Sequence, residues 1–129
     1  MKKKDVCACA GVPSLVFSCS GASDVGAIAD QAARRLSREG EAKMYCLAGI
    51  GGRVPGIMKT TEAAPRILAI DGCPIGCAKE CLERAGFKRF RHFTLSDVGL
   101  EKGRSPMRRE SVRKVAQHAA RVLAGKSRA

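Results

Sequence analysis

Short apolar runs alternate along this chain with stretches of helical periodicity, and that alternation constrains the fold more than any single motif. Ser14-Leu15-Val16-Phe17-Ser18 is a run of strand formers. Ser23 then suits a helix cap, and Val25, Ile28, Ala29, Ala32, Ala33 and Leu36 recur at helical spacing until Gly40 stops them. A second strand is predicted over 43–47, and Gly49-Ile50-Gly51-Gly52 reads as a permissive loop. A weaker helix spans 55–64 and ends at Pro65. Residues 66–70 make the clearest buried strand, which runs into Asp71-Gly72-Cys73, and Pro74 suits the first turn of the next helix. Ala78, Cys81, Leu82 and Ala85 give that helix its apolar face, and Gly86 closes it. A fourth strand is predicted over 90–95. Ser105-Pro106 opens the last helix, where Val112, Val115, Ala116, Ala119, Val122 and Leu123 form one stripe. Arg108, Arg109, Arg113, Lys114 and Arg121 take its other side, and Gly125 ends it.

Four strand–helix repeats imply an α/β fold: a small parallel sheet of about four strands with helices on both faces, Rossmann- or flavodoxin-like. The expected strand order is 2-1-3-4. The topological switch then falls between strands 1 and 3, where such folds bind ligands. The 129 residues suffice for one domain, assigned to 14–125, with 1–13 as a mobile segment and 126–129 as a tail.

Composition narrows the function. One Tyr, four Phe and no Trp leave little from which to build a base-stacking platform. Basic side chains concentrate in the last third: residues 84–129 hold 13 basic and 3 acidic groups, against 11 and 9 in residues 1–83. That third is a solvated face, or else an attraction to nucleic acid or another acidic partner. Lys2-Lys3-Lys4 imitates the start of a signal peptide, but Asp5, Gly11, Pro13 and Ser14 break the apolar run it needs. A lipid anchor on Cys19 meets bulky Phe17 just upstream. No stretch reaches the ~18 apolar residues of a membrane span. The expected location is the cytoplasm, away from membranes.

Seven cysteines exceed what packing needs, and an odd number disfavours a purely disulfide framework. Cys19, Cys46 and Cys73 each fall at or just past the carboxyl end of a predicted strand. With strand 1 between strands 2 and 3, those ends are neighbours about 4.8 Å apart. Sulfurs on one tetrahedral zinc are about 3.8 Å apart, given a Zn–S bond near 2.3 Å. Cys77, four residues after Cys73 at a helix start, returns to the same spot. Two helix amino-termini aimed at the cluster favour thiolate, the form that binds metal. Geometry therefore selects Cys19, Cys46, Cys73 and Cys77 as ligands of zinc, of another thiophilic ion or of an iron–sulfur cluster.

Phe17-Ser18-Cys19-Ser20-Gly21-Ala22-Ser23, Cys46-Leu47-Ala48-Gly49-Ile50-Gly51-Gly52 and Asp71-Gly72-Cys73-Pro74-Ile75-Gly76-Cys77 together resemble the DGC-domain family, named after its Asp-Gly-Cys motif. The resemblance covers roughly residues 14–102. It implies zinc binding through four cysteines, which fall here on Cys19, Cys46, Cys73 and Cys77. It implies no reaction.

Other residues read differently. Cys81 shares an apolar helix face and reads as core, with a redox role beside Cys77 as the alternative. Cys7-Ala8-Cys9 reads as a frayed terminus, or else as mobile thiols for metal handover. His92 and His118 read as structural. Asp71 and Gly72 support the site from behind, since a carboxylate beside four thiolates is repelled from direct ligation. Ser20 and Gly21 start a helix that suits an anion, although no P-loop Lys accompanies them. The preferred function is a metal-binding protein, structural or carrier in role, serving a small molecule or a metal-handling partner. The alternatives are a thiol-based enzyme or sulfur relay using Cys19 or Cys73, and an adaptor for nucleic acid or an acidic partner.

Overall fold

A computed structural model describes residues 13–125; Cys7, Cys9, the amino-terminal segment and the tail from 126 lie outside the described residues. The apolar runs pair as four parallel strands, β1 (Leu15–Ser18), β2 (Lys43–Met44), β3 (Ile67–Asp71) and β4 (Arg91–Thr94), in the order β2-β1-β3-β4. This is the predicted α/β fold with its predicted strand order. In register, Val16 faces Met44 and Leu68, while Ile70 lies between Ser18 and Phe93.

Strand side chains alternate between the two faces of the sheet. Val16, Leu68, Ile70 and Phe93 pack beneath α1 (Asp24–Arg38) and α5 (Arg109–Leu123). Leu15, Phe17, Ile67 and Ala69 face the other way, onto α2 (Leu47–Gly51), α3 (Pro55–Ala63) and α4 (Cys77–Arg84) through Ile50, Ile57, Ala78 and Leu82. Each fully buried Leu, Ile, Val or Phe contributes roughly 1.5–3 kcal/mol. The apolar stripe predicted for α1 is its buried face, and Ser23 caps the helix by accepting the Gly26 N–H at 3.0 Å.

Three boundaries differ from the sequence reading. The predicted second strand stops at Met44, and the glycine-rich loop is instead the short helix α2, with Cys46 as its N-cap residue. Burial of Ile50 drives the chain inward there, and Arg53 closes the helix by donating to the Ile50 and Gly51 carbonyls at 2.8 and 3.1 Å. α4 begins at Cys77 rather than Pro74, because Gly76 sits in the left-handed region (φ 71°) and the turn before it is not helical. α5 begins at Arg109 rather than Ser105, which is buried and tied elsewhere: its N–H donates to Asp24 and its hydroxyl accepts from the Glu101 N–H. One turn of 3₁₀ helix, Leu95–Val98, follows β4, closed by reciprocal bonds between Thr94 and Asp97.

His118, on α5, stacks edge-on against Phe93 with ring centroids 4.6 Å apart, and its Nε2 is buried without a hydrogen-bond partner. Desolvation, and then Arg121, push its pKa below the ordinary value of 6.5, while Asp97 pulls weakly the other way. A histidine held neutral in the fold stabilises it above the unfolded pKa, and that contribution is lost as pH falls through 6.5 toward the folded value. The melting temperature should therefore drop between about pH 7 and pH 5. A His118→Leu variant should show a flatter profile over that window, and an unchanged slope would rule His118 out as its source.

Candidate thiol site

The switch between β1 and β3 places the cysteine-bearing loops side by side. Cys19 follows β1 by one residue and Cys73 follows β3 by two, and both are half-buried. Cys46 lies two residues past β2, exposed at the start of α2, and Cys77 is the exposed first residue of α4. The Gly72 N–H donates to the Cys19 sulfur at 3.3 Å.

Two cavities divide these thiols. One of 410 Å³ is bordered by Cys19, Cys73 and Cys77, with Asp71, Gly21, Ser23 and Lys102. The other, of 460 Å³, is bordered by Cys19, Cys46 and Cys81, with Ser18, Ser20, Asp30, Arg34 and Tyr45. Cys19 borders both.

Asp71 is buried, and its carboxylate faces α4 and β4. It accepts from the Ala78 N–H at 2.8 Å and the Lys79 N–H at 3.1 Å, and it pairs with His92 Nε2 at 2.8 Å. It thereby satisfies donors that the first turn of a helix otherwise leaves open, in place of the cap that Gly76 cannot provide. Desolvation, then the Asp71 carboxylate and the sulfurs of Cys19, Cys73 and Cys81, raise the Cys77 pKa above the ordinary thiol value. A bound cation would act in the opposite sense.

Around the other cavity, Ser20 holds a left-handed conformation (φ 48°). Its hydroxyl is 2.8 Å from that of buried Ser18 and donates to Asp30 at 2.7 Å; Arg34 donates to the same carboxylate at 2.7 Å. Gly21 is exposed, and a Cβ there would touch nothing within 4 Å. Gly72 is the opposite case: a Cβ would lie 2.7 Å from the Val25 carbonyl carbon and 2.8 Å from the Gly26 nitrogen. The glycine of the Asp-Gly-Cys motif is thus where β3 passes against the start of α1.

Sequence reasoning missed three contributors. Asp24 accepts from the N–H groups of Gly103 (2.9 Å) and Ser105 (3.0 Å), which hold its carboxyl below the usual range and bring Lys102 to the first cavity. Arg53 joins α2 to α4, and His92 orients Asp71. Their long-range bonds carried no local signal: Asp24 reaches Gly103 and Ser105, 79 and 81 residues away, and Arg53 reaches Arg84, 31 residues away.

In donor chemistry the site suits a thiophilic ion, since it offers thiols from separate elements and its buried carboxylate is engaged elsewhere. In distance it is open: among the described residues, no three His, Cys, Asp or Glu side chains are grouped closely enough to hold one ion. No helix among them is long and apolar enough to cross a membrane. Arg108, Arg109, Arg113, Lys114 and Arg121 are all exposed, as their side of α5 predicts.

The family model described as "DGC domain" matches residues 15–119. The "Anaerobic and virulence modulator AnvM" of Pseudomonas aeruginosa strain PAO1 is 46% identical over 88 residues, which span 68% of this chain and 67% of that protein. No solved structure matches the chain.

Proposed function

The chain belongs to the DGC-domain family, and from that premise we propose that it is a metal-binding protein in which Cys19, Cys46, Cys73 and Cys77 close around one ion, zinc foremost. The observation that carries this reading is the convergence of three strand-end loops, which set Cys19, Cys46 and Cys73 along one edge of the sheet with Cys77 at the adjoining helix start. A zinc ion held by four thiolates has no open position, so the role is structural or that of a carrier, and hydrolysis at the metal is disfavoured. Asp71 and Gly72 fix the loop that bears Cys73, while Ser20 and Gly21 shape the one after Cys19. Lys102 supplies positive charge beside the thiolates. The reading carries a cytoplasmic location with it, where thiols stay reduced and available for metal.

Protein purified anaerobically should contain about one zinc per chain, and chelation should expose four further thiols to a thiol reagent. Native protein that is free of metal, with every thiol already reactive, would count against the reading.

The open spacing of the sulfurs favours one second reading, in which Cys19 is a nucleophile of thiol chemistry supported by the Gly72 N–H. A brief iodoacetamide pulse separates the two. Rapid labelling of Cys19 alone supports the nucleophile, and uniform protection of all four cysteines supports the metal.

A further inference from the structure

On two of the helices, exposed arginines are neutralised by acids one turn away. Arg34 pairs with Asp30 at 2.7 Å and Arg35 with Glu39 at 2.9 Å beside α1, and Arg84 pairs with Glu80 at 3.1 Å on α4. α5 breaks that pattern. Its solvent side carries Arg109, Arg113, Lys114 and Arg121, with Arg108 just before it, and Glu110 is its only acidic residue. Among the described residues, none of these five basic groups has a carboxylate partner.

Helix geometry turns those residues into one surface. At about 1.5 Å per residue, Arg109 and Arg121 stand about 18 Å apart along the axis. Arg113, Lys114, Gln117 and Arg121 fall within an arc of about 100°, opposite the buried stripe of Val112, Val115, Ala119 and Val122. A recess of 460 Å³ is bordered there by Leu100, Glu110, Ser111, Arg113, Lys114 and Gln117. It offers guanidinium, ammonium, amide and hydroxyl groups, the donors that phosphate oxygens take. The aromatic rings are elsewhere: Phe17 and Phe93 are buried, and Tyr45, Phe87 and Phe90 pack against the core on the far side of the sheet. Cations without rings suit a regular array of phosphates and give unstacked bases nothing to lie on. Because its apolar stripe is buried, α5 has no apolar face with which to enter a lipid surface.

We propose that the solvent face of α5 docks on the phosphate backbone of double-stranded nucleic acid through Arg109, Arg113, Lys114 and Arg121. This function is separate from the metal reading and does not depend on it. A duplex carries one negative charge per about 1.7 Å of axis, so a face about 18 Å long meets enough phosphates for all four cations. Phosphate contacts carry no base information, and the binding is therefore indifferent to sequence.

The test is fluorescence anisotropy of a labelled DNA duplex of about 20 base pairs, titrated with the full chain between about 50 and 200 mM salt. Four phosphate contacts give a log–log slope of about −3.6, or roughly 150-fold weaker binding across that range. Arg109→Gln/Arg113→Gln/Arg121→Gln should reduce the slope to about −0.9. Glu110→Gln should bind roughly two- to fivefold more tightly, because it removes the one carboxylate from the face. Lys2→Gln/Lys3→Gln/Lys4→Gln, outside the described residues, should keep the parent's slope, and duplexes of unrelated sequence should bind alike. No binding at about 50 mM salt overturns the proposal, as does a triple arginine variant with the parent's slope. Tighter binding to single-stranded DNA or to phosphatidylserine vesicles also overturns it, and so does displacement of the duplex by polyglutamate of equal charge. The substituted α5 residues are all exposed, and a thermal melt checks the folding of each variant. Should the triple variant not fold, Lys114→Gln alone should still lower the slope by about 0.9.

Discussion

Asp71→Ala should destabilise the domain by roughly 2–4 kcal/mol, one of the two largest effects expected of a single substitution here. The side chain is 1% exposed and accepts the N–H groups of both Ala78 and Lys79. Alanine would leave the Ala78 donor buried without a partner, which costs about 1–3 kcal/mol, and would strip the first turn of α4 of a cap worth about 1 kcal/mol more. No neighbour can substitute, because Gly76 at the N-cap position has no side chain. Asp71→Asn keeps one acceptor and should lose about half as much. Urea denaturation followed by circular dichroism measures the difference directly. An alanine variant as stable as the parent would mean that water replaces the carboxylate at the start of α4. Under the metal reading the same change loosens Cys77 and its turn, so zinc affinity should fall together with stability.

How far the fold was legible in the sequence depends on where each element draws its stability. α1 carries its own start signal in Ser23 and an unbroken apolar stripe, and it forms where those predict. β1 and β3 are buried throughout, and their short apolar runs, rich in strand formers and bounded by turn residues, were legible as strands. α2 is the contrary case. Its glycines argue for a loop, and the helix exists because Ile50 is buried and because Arg53, two residues past its end, closes it and ties it to the Arg84 carbonyl of α4. Cys46 was expected at a strand end and instead starts that helix, two residues past β2. The four cysteines were legible as a group because strand order alone puts three of them on one edge. Their division into two cavities was not, since it follows from the α2–α4 contact, which no short-range pattern encodes.

Gly72→Ala should have the second large effect, for a different reason. The added Cβ would sit 2.7 Å from the Val25 carbonyl carbon, 2.8 Å from the Gly26 nitrogen and 2.9 Å from the Val25 carbonyl oxygen, all of them backbone atoms that cannot rotate aside. Either the amino-terminal turn of α1 or the loop after β3 must move, at a cost of about 1–3 kcal/mol for an overpacked interior. Gly26→Ala crowds a neighbouring contact of the same helix turn, because its Cβ would lie 2.8 Å from the Gly21 carbonyl oxygen in the loop after β1, and it should cost a similar amount. Gly21→Ala and Gly56→Ala meet nothing within 4 Å and serve as controls that should change stability little. The junction also positions the sulfurs: the Gly72 N–H reaches Cys19 at 3.3 Å, and Cys73 is the next residue. Displacing the loop after β3 would pull Cys73 away from Cys19, so the Gly72 variant should lose zinc even at temperatures where it remains folded. Paired melting curves and zinc contents decide the matter. A folded Gly72→Ala variant that keeps its full complement of zinc would show that the glycine serves packing alone and that the metal, if bound, does not depend on this junction.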